Sequence, residues 1–449
     1  MKAKTVRETA LDLLVRIDKQ GGFSHLLINN AIEKQQIKAR DEALLTELVY
    51  GTIERKMTLD YYLKDYIKKQ KKMDHWVKML LRMSVYQFAY LNKIPPFAII
   101  HEAVNIAKKK GHKGIASFVN GVLRNIDRNG LKDIANIKDP IERISIETSH
   151  PLWLVQRWSA YYGIETTAAI CKENLERKLL SVRVNQLKTN RETLLKQLNE
   201  LGIIASSSPW LEEALVIDEG NILKTDLLES GEVTVQDTSS MLAAKAVEAE
   251  PGMIVLDTCS APGGKTTFLG EVMQGKGEIY AYDLHQNKLN LIKKSASRLG
   301  ITNIHTEAKD ARSLQSVHKA ETFDRVLIDA PCSGFGVIRS KPDIKYQKSE
   351  KDIVQLKQVQ HDILKHVAPL VKIGGKIVYS TCTIEKEENE WQVKAFLDKN
   401  KQFVVDDTFL TEVKRMDIGH ITEYGVQIFP QSLHSDGFFI TRLVKSAQH

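Results

Sequence analysis

Apolar residues recur every three or four positions through the first third of the chain. Val6, Ala10, Leu13, Leu14 and Ile17 form one such set, Leu44, Leu48, Val49 and Ile53 a second, and Val77, Leu80, Leu81, Val85 and Phe88 a third. This spacing puts apolar side chains on one face of an α-helix. Pro95-Pro96 break the pattern. A new helix then carries Ile99, Ala103, Val104 and Ala107 and ends in a basic turn, Lys108-Lys109-Lys110, before Gly111. A last one carries Ile115, Phe118, Val119, Val122 and Ile126. Strand-like alternation is absent, so residues 1–130 are expected to form an all-α domain. Residues 131–170 read as a helical linker, with a helix beginning in Ser149-His150-Pro151-Leu152-Trp153-Leu154.

The period then changes. Ser181-Val182-Arg183-Val184-Asn185 and Ala214-Leu215-Val216-Ile217 are strand-like, and 190–201 is helical up to Gly202. Pro209 and Gly220 punctuate the segment. Residues 171–235 are expected to be a small α+β subdomain. From 236 to 449 a third domain is expected. There, short apolar runs alternate with helical stretches. The strands are Met253–Asp257, Glu278–Asp283, Phe323–Asp329 and Lys376–Ser380; helices begin near Thr266 and span Lys288–Leu299. Continuous apolar strands suit a parallel sheet covered on both faces, so the third domain is read as doubly wound α/β. Ligands of such sheets bind at the carboxyl ends of the strands.

Length fits this division, since 449 residues exceed one domain at about 150 residues each. No apolar run approaches the roughly 18 residues of a membrane helix. The first segment carries Lys2, Lys4, Arg7, Glu8, Asp12 and Arg16, unlike a secretory leader. A cytoplasmic protein is expected, with no membrane association. The four cysteines, Cys171, Cys259, Cys332 and Cys382, form no C-x-x-C pair and lack zinc spacing. They read as free thiols, and no metal is expected. Cys171 reads as a small buried hydrophobe. The net charge of +8 is segregated. Residues 1–130 hold 24 Lys and Arg against 13 Asp and Glu, and the remainder is slightly acidic. Lysine-rich faces are often merely solvated, but segregation of this kind favours nucleic acid as a partner.

The chemistry clusters at strand ends. The first strand of the third domain runs into Cys259-Ser260-Ala261-Pro262-Gly263-Gly264-Lys265-Thr266. Its glycines let a ligand approach the backbone at a helix N-terminus. A Walker A loop would need Gly where Cys259 stands, and no G-x-G-x-x-G is present. S-adenosylmethionine, a sulfonium cation, remains as the expected cofactor. Asp283 ends the next strand, 20 residues after Gly263, where an acid would accept ribose hydroxyls. Asp310, after the third strand, is a candidate for the adenine amino group. Each such Asp also has a plain reading as a cap or turn residue.

Two further strand ends carry Asp329-Ala330-Pro331-Cys332-Ser333-Gly334 and Ser380-Thr381-Cys382-Thr383. Two core cysteines would read the same way taken singly. Together with a carboxylate they suit methylation of a pyrimidine carbon. A thiolate that adds to C6 of cytosine makes C5 nucleophilic, and a carboxyl near N3 stabilises the developing charge. The thiol needs a lowered pKa, for which Lys265 is the candidate helper, and the base must leave its stack.

These residues closely resemble the RNA cytosine-C5 methyltransferases of the NOL1/NOP2/Sun family. The resemblance covers 236–449 and includes Gln236-Asp237-Thr238-Ser239-Ser240, Cys259 to Lys265, Asp329 to Gly334, Ser380 to Cys382 and Ser435-Asp436-Gly437-Phe438-Phe439. It implies that Cys382 is the nucleophile and that Cys332 assists resolution of the covalent intermediate. It further implies that Asp329 contacts the base and the methionine end of the cofactor, and that the small subdomain is RNA-recognition-like and ferredoxin-like. The N-terminal stretches Pro96–Val104 and Phe118–Arg124 are similar to the NusB RNA-binding fold. One subfamily combines both, with a stretch like Gly336–Tyr346 in which Ser340 here replaces a usual basic residue. That combination implies a 16S ribosomal RNA hairpin cytosine as substrate. Separately, a monomer is expected, with no obligate protein partner evident. Two other readings compete. A methyltransferase acting on an exocyclic nitrogen would use an Asn/Asp-Pro-Pro-aromatic loop, where this chain has Asp329-Ala330-Pro331-Cys332. A non-catalytic RNA-binding assembly factor would not need complete cofactor and cysteine motifs.

Overall fold

A computed structural model describes residues 4–20, 27–28, 30–32, 38–68 and 73–447; Lys2 lies outside the described residues. Contacts divide the chain into two units, Met1–Leu175 with Lys341–Gln347, and Glu176–Ser340 with Lys348–His449.

The first unit is helical. Helices α1 (Val6–Gln20), α2 (Ala39–Glu54), α3 (Lys56–Ile67), α4 (His75–Tyr90), α5 (Pro96–Lys110) and α6 (Lys113–Asn129) bury the apolar stripes read from the sequence. Leu11, Leu14, Leu48, Leu80, Val85, Ala107 and Leu123 share one core. Pro96 sits in the first turn of α5, where its missing N–H costs nothing. Helix α3 has only Thr58, Leu59 and Leu63 buried, among Tyr and Lys residues, and its stripe is correspondingly faint in the sequence. The stretch read as a helical linker contains three helices of its own, α7 (Pro140–Thr148), α8 (Leu152–Tyr162) and α9 (Ile164–Glu173). Asp139 caps α7 by accepting the Glu142 N–H at 2.7 Å. Trp158 and Cys171 are fully buried here, and burial pushes the Cys171 thiol up to about 12, which is the behaviour of a core residue. The segment Lys341–Gln347 belongs to this unit: the Tyr346 hydroxyl lies 3.0 Å from the Glu54 carbonyl and 2.9 Å from that of Ser149.

The second unit holds two sheets. The smaller consists of β1 (Leu180–Val184), β2 (Ile204–Ser207), β3 (Ala214–Glu219) and β4 (Val233–Val235) in the order β2-β3-β1-β4, all antiparallel. Helix α10 (Arg191–Glu200) covers it, contributing Leu194 and Leu198 to a core with Val182, Val184, Leu215 and Ile217.

The larger sheet has the order β11-β12-β13-β9-β8-β5-β6-β7, with β10 on β13. Its parallel part is β5 (Ile254–Asp257), β6 (Glu278–Asp283), β7 (Ile304–Ala308), β8 (Phe323–Asp329) and β9 (Val371–Thr381). Strands β10 (Phe403–Val405), β11 (His420–Thr422), β12 (Gly425–Ile428) and β13 (Phe438–Lys445) close it in antiparallel fashion.

Alternate residues of the parallel strands enter two different cores, as the period of two requires. Val255, Ile279, Leu327 and Val378 pack with Met241, Phe268 and Phe409. Leu256, Val326, Ile328 and Ile377 pack with Ile363, Leu364, Val393 and Phe396. The covering helices include α11 (Thr238–Lys245), α12 (Gly264–Val272), α13 (Gln286–Leu299), α14 (Glu350–Val367), α15 (Glu390–Lys399) and α16 (Asp407–Met416). The architecture is therefore the expected one: an all-α N-terminal part, a small α+β subdomain and a doubly wound α/β sheet. After β5 the chain steps outward through β6 and β7, then returns to β8 on the other side of β5. That reversal is the switch point where a cleft opens. Among the described residues no helix is long and apolar enough to cross a membrane, and no cluster of His, Cys, Asp or Glu is arranged to hold a metal.

Candidate active site

A cleft of about 370 Å³ lies along the carboxyl ends of the parallel strands. Each of them supplies part of its wall: Cys259 and Ala261 after β5, Asp283 at the end of β6, Asp310 after β7, Asp329 and Cys332 from β8, and Cys382 after β9. Ser260, Pro262, Gly263, Gly264 and Lys265 are not in that wall. They shape the loop that carries it. Ser260 Oγ donates to the Tyr282 carbonyl at 2.8 Å, tying the β5 loop to β6. Gly263 starts α12 at φ +105°, a region that disfavours any side chain, and a Cβ there would lie 3.0 Å from Ile292.

The loop is held from behind by a residue that the sequence reading placed only as a strand position. Arg183 of β1 is fully buried. It donates to both Glu271 oxygens at 2.9 and 2.8 Å, to the Gly264 carbonyl at 2.8 Å and to Thr267 at 3.1 Å, and it also bonds Gln236. Thr266 donates to Asp257 at 2.7 Å. Burial pushes the Asp257 carboxyl up to about 7, with the Thr266 bond working against it.

On the cofactor side, Asp283 accepts the His285 N–H at 3.0 Å, a local turn. Asp310 caps the turn Ala311–Ser316 and pairs with Arg312 at 2.6 Å, which holds its carboxyl below the usual range. Both acids thus have the plain turn and cap roles and also face the cleft. These two carboxylates, with Asp329 across the cleft, suit a cationic, ribose-bearing ligand, so this wall fits S-adenosylmethionine.

On the other side, β8 and β9 are adjacent and parallel, with Asp329 opposite Ser380. Ser380 donates to one Asp329 oxygen at 3.0 Å and Lys265 to the other at 2.7 Å. Burial opposes the charge on Lys265, but Asp329 outweighs it, and the ammonium pKa is raised. Lys265 also lies 5.0 Å from the Phe438 ring. The Cys332 and Cys382 sulfurs are 3.3 Å apart, as free thiols. The bond to Cys382, together with burial, raises the Cys332 pKa well above its ordinary value. Cys259 is a different case: burial pushes it to about 12.

The layer beneath the two cysteine loops was not legible in the sequence. Glu388 is fully buried. It accepts the Ser333 N–H and Gln360 Nε2–H, both at 2.9 Å, and the Ser333 hydroxyl. Burial raises its carboxyl to about 7. Standing in Glu385-Lys386-Glu387-Glu388-Asn389-Glu390, it reads as one charge in a solvated run, and local spacing offers no signal that it turns inward. Gly336 is needed for a similar reason. Its backbone packs on another loop, and a Cβ would lie 1.9 Å from the Gly437 carbonyl oxygen.

A doubly wound sheet with an acid-lined cleft at its switch point, extended by antiparallel strands and preceded by a small α+β subdomain, defines an S-adenosylmethionine-dependent methyltransferase. The matching family models agree: 16S rRNA methyltransferase RsmB/F over 244–444, the NusB family over 4–128, and the RsmF/B-like ferredoxin-like domain over 150–223. A probable ribosomal RNA small subunit methyltransferase B of Bacillus subtilis is 45% identical, covering 99% of this chain and 100% of that one. Its counterpart in Escherichia coli O157:H7 is 30% identical, with 99% of each chain covered. Among solved structures, PH0851 matches with a TM-score of 0.80 at 26% identity over 98% of this chain and 99% of that one. A methyltransferase homolog from Pyrococcus horikoshii matches at 0.59 and 26% identity, over 69% and 100%. The chain belongs to the RsmB/F family of 16S ribosomal RNA methyltransferases: it is an enzyme that methylates small-subunit ribosomal RNA.

Proposed function

We propose that the enzyme methylates carbon 5 of a cytosine in 16S ribosomal RNA through a covalent bond between Cys382 and C6 of the base. The observation that carries this is the pair of sulfurs 3.3 Å apart at the cleft, beside the Lys265–Asp329 pair. Methylation of an exocyclic nitrogen needs no thiol. Methylation of C5 does, because that carbon is a poor nucleophile until C6 has been attacked.

Bound S-adenosylmethionine supplies an electrophilic methyl group. The protein's part is as follows. Cys382 gives its proton to water and reacts as the thiolate, toward which Cys332 donates its S–H. Lys265 adds positive charge nearby. The Cys382 thiolate adds to C6, and the C5–C6 electrons take up the methyl group. Asp329, fixed by Ser380 and Lys265, meets the N3 side of the ring and accepts from the adjoining amino group, and the Lys265 ammonium offsets the negative charge that develops on the ring. The C5 proton is lost to water, the C5–C6 double bond re-forms, and the C6–S bond breaks. Cys332 protonates the departing sulfur, and the pair again holds one proton. Asp283 and Asp310 bind the ribose and adenine of the cofactor, with Cys259 to Lys265 as its loop.

The target base must be flipped out of its stack to enter the cleft. The basic residues 1–130 contact RNA phosphates, and 171–235 form a second RNA-facing module ahead of the methyltransferase domain, 236–449. The enzyme acts in the cytoplasm as a monomer; its cysteines are free, as thiols of a reducing compartment are.

Tritiated methyl transfer to RNA, with identification of the product base, tests the reaction. Cys382→Ala is expected to abolish transfer while cofactor binding persists; turnover in that variant sinks the covalent mechanism. Cys332→Ala is expected to accumulate protein–RNA adducts that survive denaturing gels. Adducts formed by Cys382→Ala instead would reverse the two roles. For the RNA-binding part, Lys108, Arg124 and Arg128 are exposed. Replacing all three by Ser should lower the salt dependence of RNA binding by about 2 in log–log slope. An unchanged slope would assign this domain a packing role.

A further inference from the structure

We propose that Glu388 is a positioning residue for the resolution step: it holds the Cys332 loop, and through it the Cys332 thiol, at the distance from which that thiol can protonate Cys382. This rests on the covalent reading above.

The backbone from Pro331 to Ser333 is anchored by two buried side chains. Glu388 accepts the Ser333 N–H at 2.9 Å and the Ser333 hydroxyl. Gln360, on α14, donates to the Pro331 carbonyl and to Glu388, both at 2.9 Å. Glu388 is in turn fixed through its own carbonyl, which accepts the Tyr379 hydroxyl at 2.6 Å. Cys332 thus sits between two clamped residues. The Cys382 loop is anchored separately. Asn389 donates to the Thr383 carbonyl at 3.0 Å and to Gln427 at 2.8 Å, and it accepts from Thr381. The two loops meet where the Ser333 and Thr383 hydroxyls lie 2.8 Å apart. Removing Glu388 therefore frees Cys332 and leaves Cys382 with its own anchors. Attack on the base should survive, and release should not. A misplacement on the order of 1 Å can cost about 100-fold in such a step.

The test compares Glu388→Ala and Glu388→Gln in the full-length enzyme, with Cys382→Ala and Cys332→Ala run in parallel. Glu388→Ala should turn over about 100-fold slower, keep its KM for S-adenosylmethionine, and accumulate a denaturation-resistant RNA adduct as Cys332→Ala does. Glu388→Gln should restore turnover and lose the adduct. Its carbonyl can still accept from Ser333 N and Gln360, and its amide can donate to the Ser333 hydroxyl. Should Glu388→Ala fail to fold, Ser333→Ala decides. It removes one Glu388 bond and the link to Thr383, and should also accumulate adduct. The assignment is overturned if the positioning variants lose turnover without adduct, if they turn over normally, or if Gln is as impaired as Ala. If Cys382→Ala itself retains turnover, the covalent reading falls and this inference with it. If Cys382→Ala is inactive, Cys332→Ala traps adduct and the Glu388 and Ser333 variants do not, only the role of Glu388 falls.

Discussion

The two sides of the cleft are built differently. On the cofactor side, Asp283 and Asp310 are fixed by bonds to residues two positions along the chain, His285 and Arg312. On the reacting side, Asp329 is held by Lys265 and Ser380, more than 50 residues away in either direction. Cys332 meets Cys382 across 50 residues, and Ser333 meets Glu388 across 55. Local turns suffice where a ligand needs only hydrogen-bond acceptors. Where the proposed reaction moves a proton between two sulfurs, the groups are only partly exposed and their geometry is imposed by the adjacency of β8 and β9.

Substitutions on the two sides should therefore fail in different ways. The largest effect is expected for Asp329→Ala, which removes the carboxylate proposed to meet the base and leaves the largely covered Lys265 without its partner. Turnover should fall by about 10²–10³-fold, measured at saturating cofactor; a loss confined to KM would move Asp329 to the binding side. Next is Arg183→Met. It leaves Glu271 buried without its guanidinium and removes a bond to the Gly264 carbonyl. A cost of about 3–5 kcal/mol in chemical denaturation is expected, and a fully stable variant would show the clamp to be redundant. Asp283→Asn should raise KM for S-adenosylmethionine about 10-fold with little change in kcat, consistent with loss of one charge-assisted bond of about 1.5 kcal/mol. A kcat effect would place this residue with the reacting groups.

The smallest effect concerns pH. The Asp257 carboxyl rises from 3.8 to about 7 in the fold, so between those values the folded state holds more protons than the unfolded chain. Stability contributed by this group is full below pH about 4 and is lost as pH rises toward 7. Asp257→Asn should flatten that part of the melting-temperature profile, and an unchanged profile would assign the slope to Glu388 and other buried acids.

The N-terminal helices and the alternation of strand and helix from 252 onward were legible because their apolar periodicities are local and repeat over many residues. Helix α3 gave a weaker signal, with three buried side chains among tyrosines and lysines. The antiparallel strands after residue 402 were not separated from the motif at Phe438–Phe439. Strands β10, β11 and β12 have only three or four residues, and β12 and β13 are buried on both faces, so no alternation marks them. Arg183 stands in the sequence only as a strand position, and Glu388 is not singled out there at all. A buried ion looks like an exposed one until its partner is known.

The sequence by itself determined most of the N-terminal helices and parallel strands, the strand-end chemistry and the choice of a sulfonium cofactor over a phosphate ligand. Each of those follows from residues within one turn or one strand of each other. Only the tertiary structure decided that β8 lies between β5 and β9, that the two sulfurs approach to 3.3 Å, and that Arg183 and Glu388 turn inward to hold the two loops. Such contacts join residues 50 to 90 positions apart. Whether they form depends on which strands become neighbours and which charges lose their water, and no local spacing along the chain encodes that.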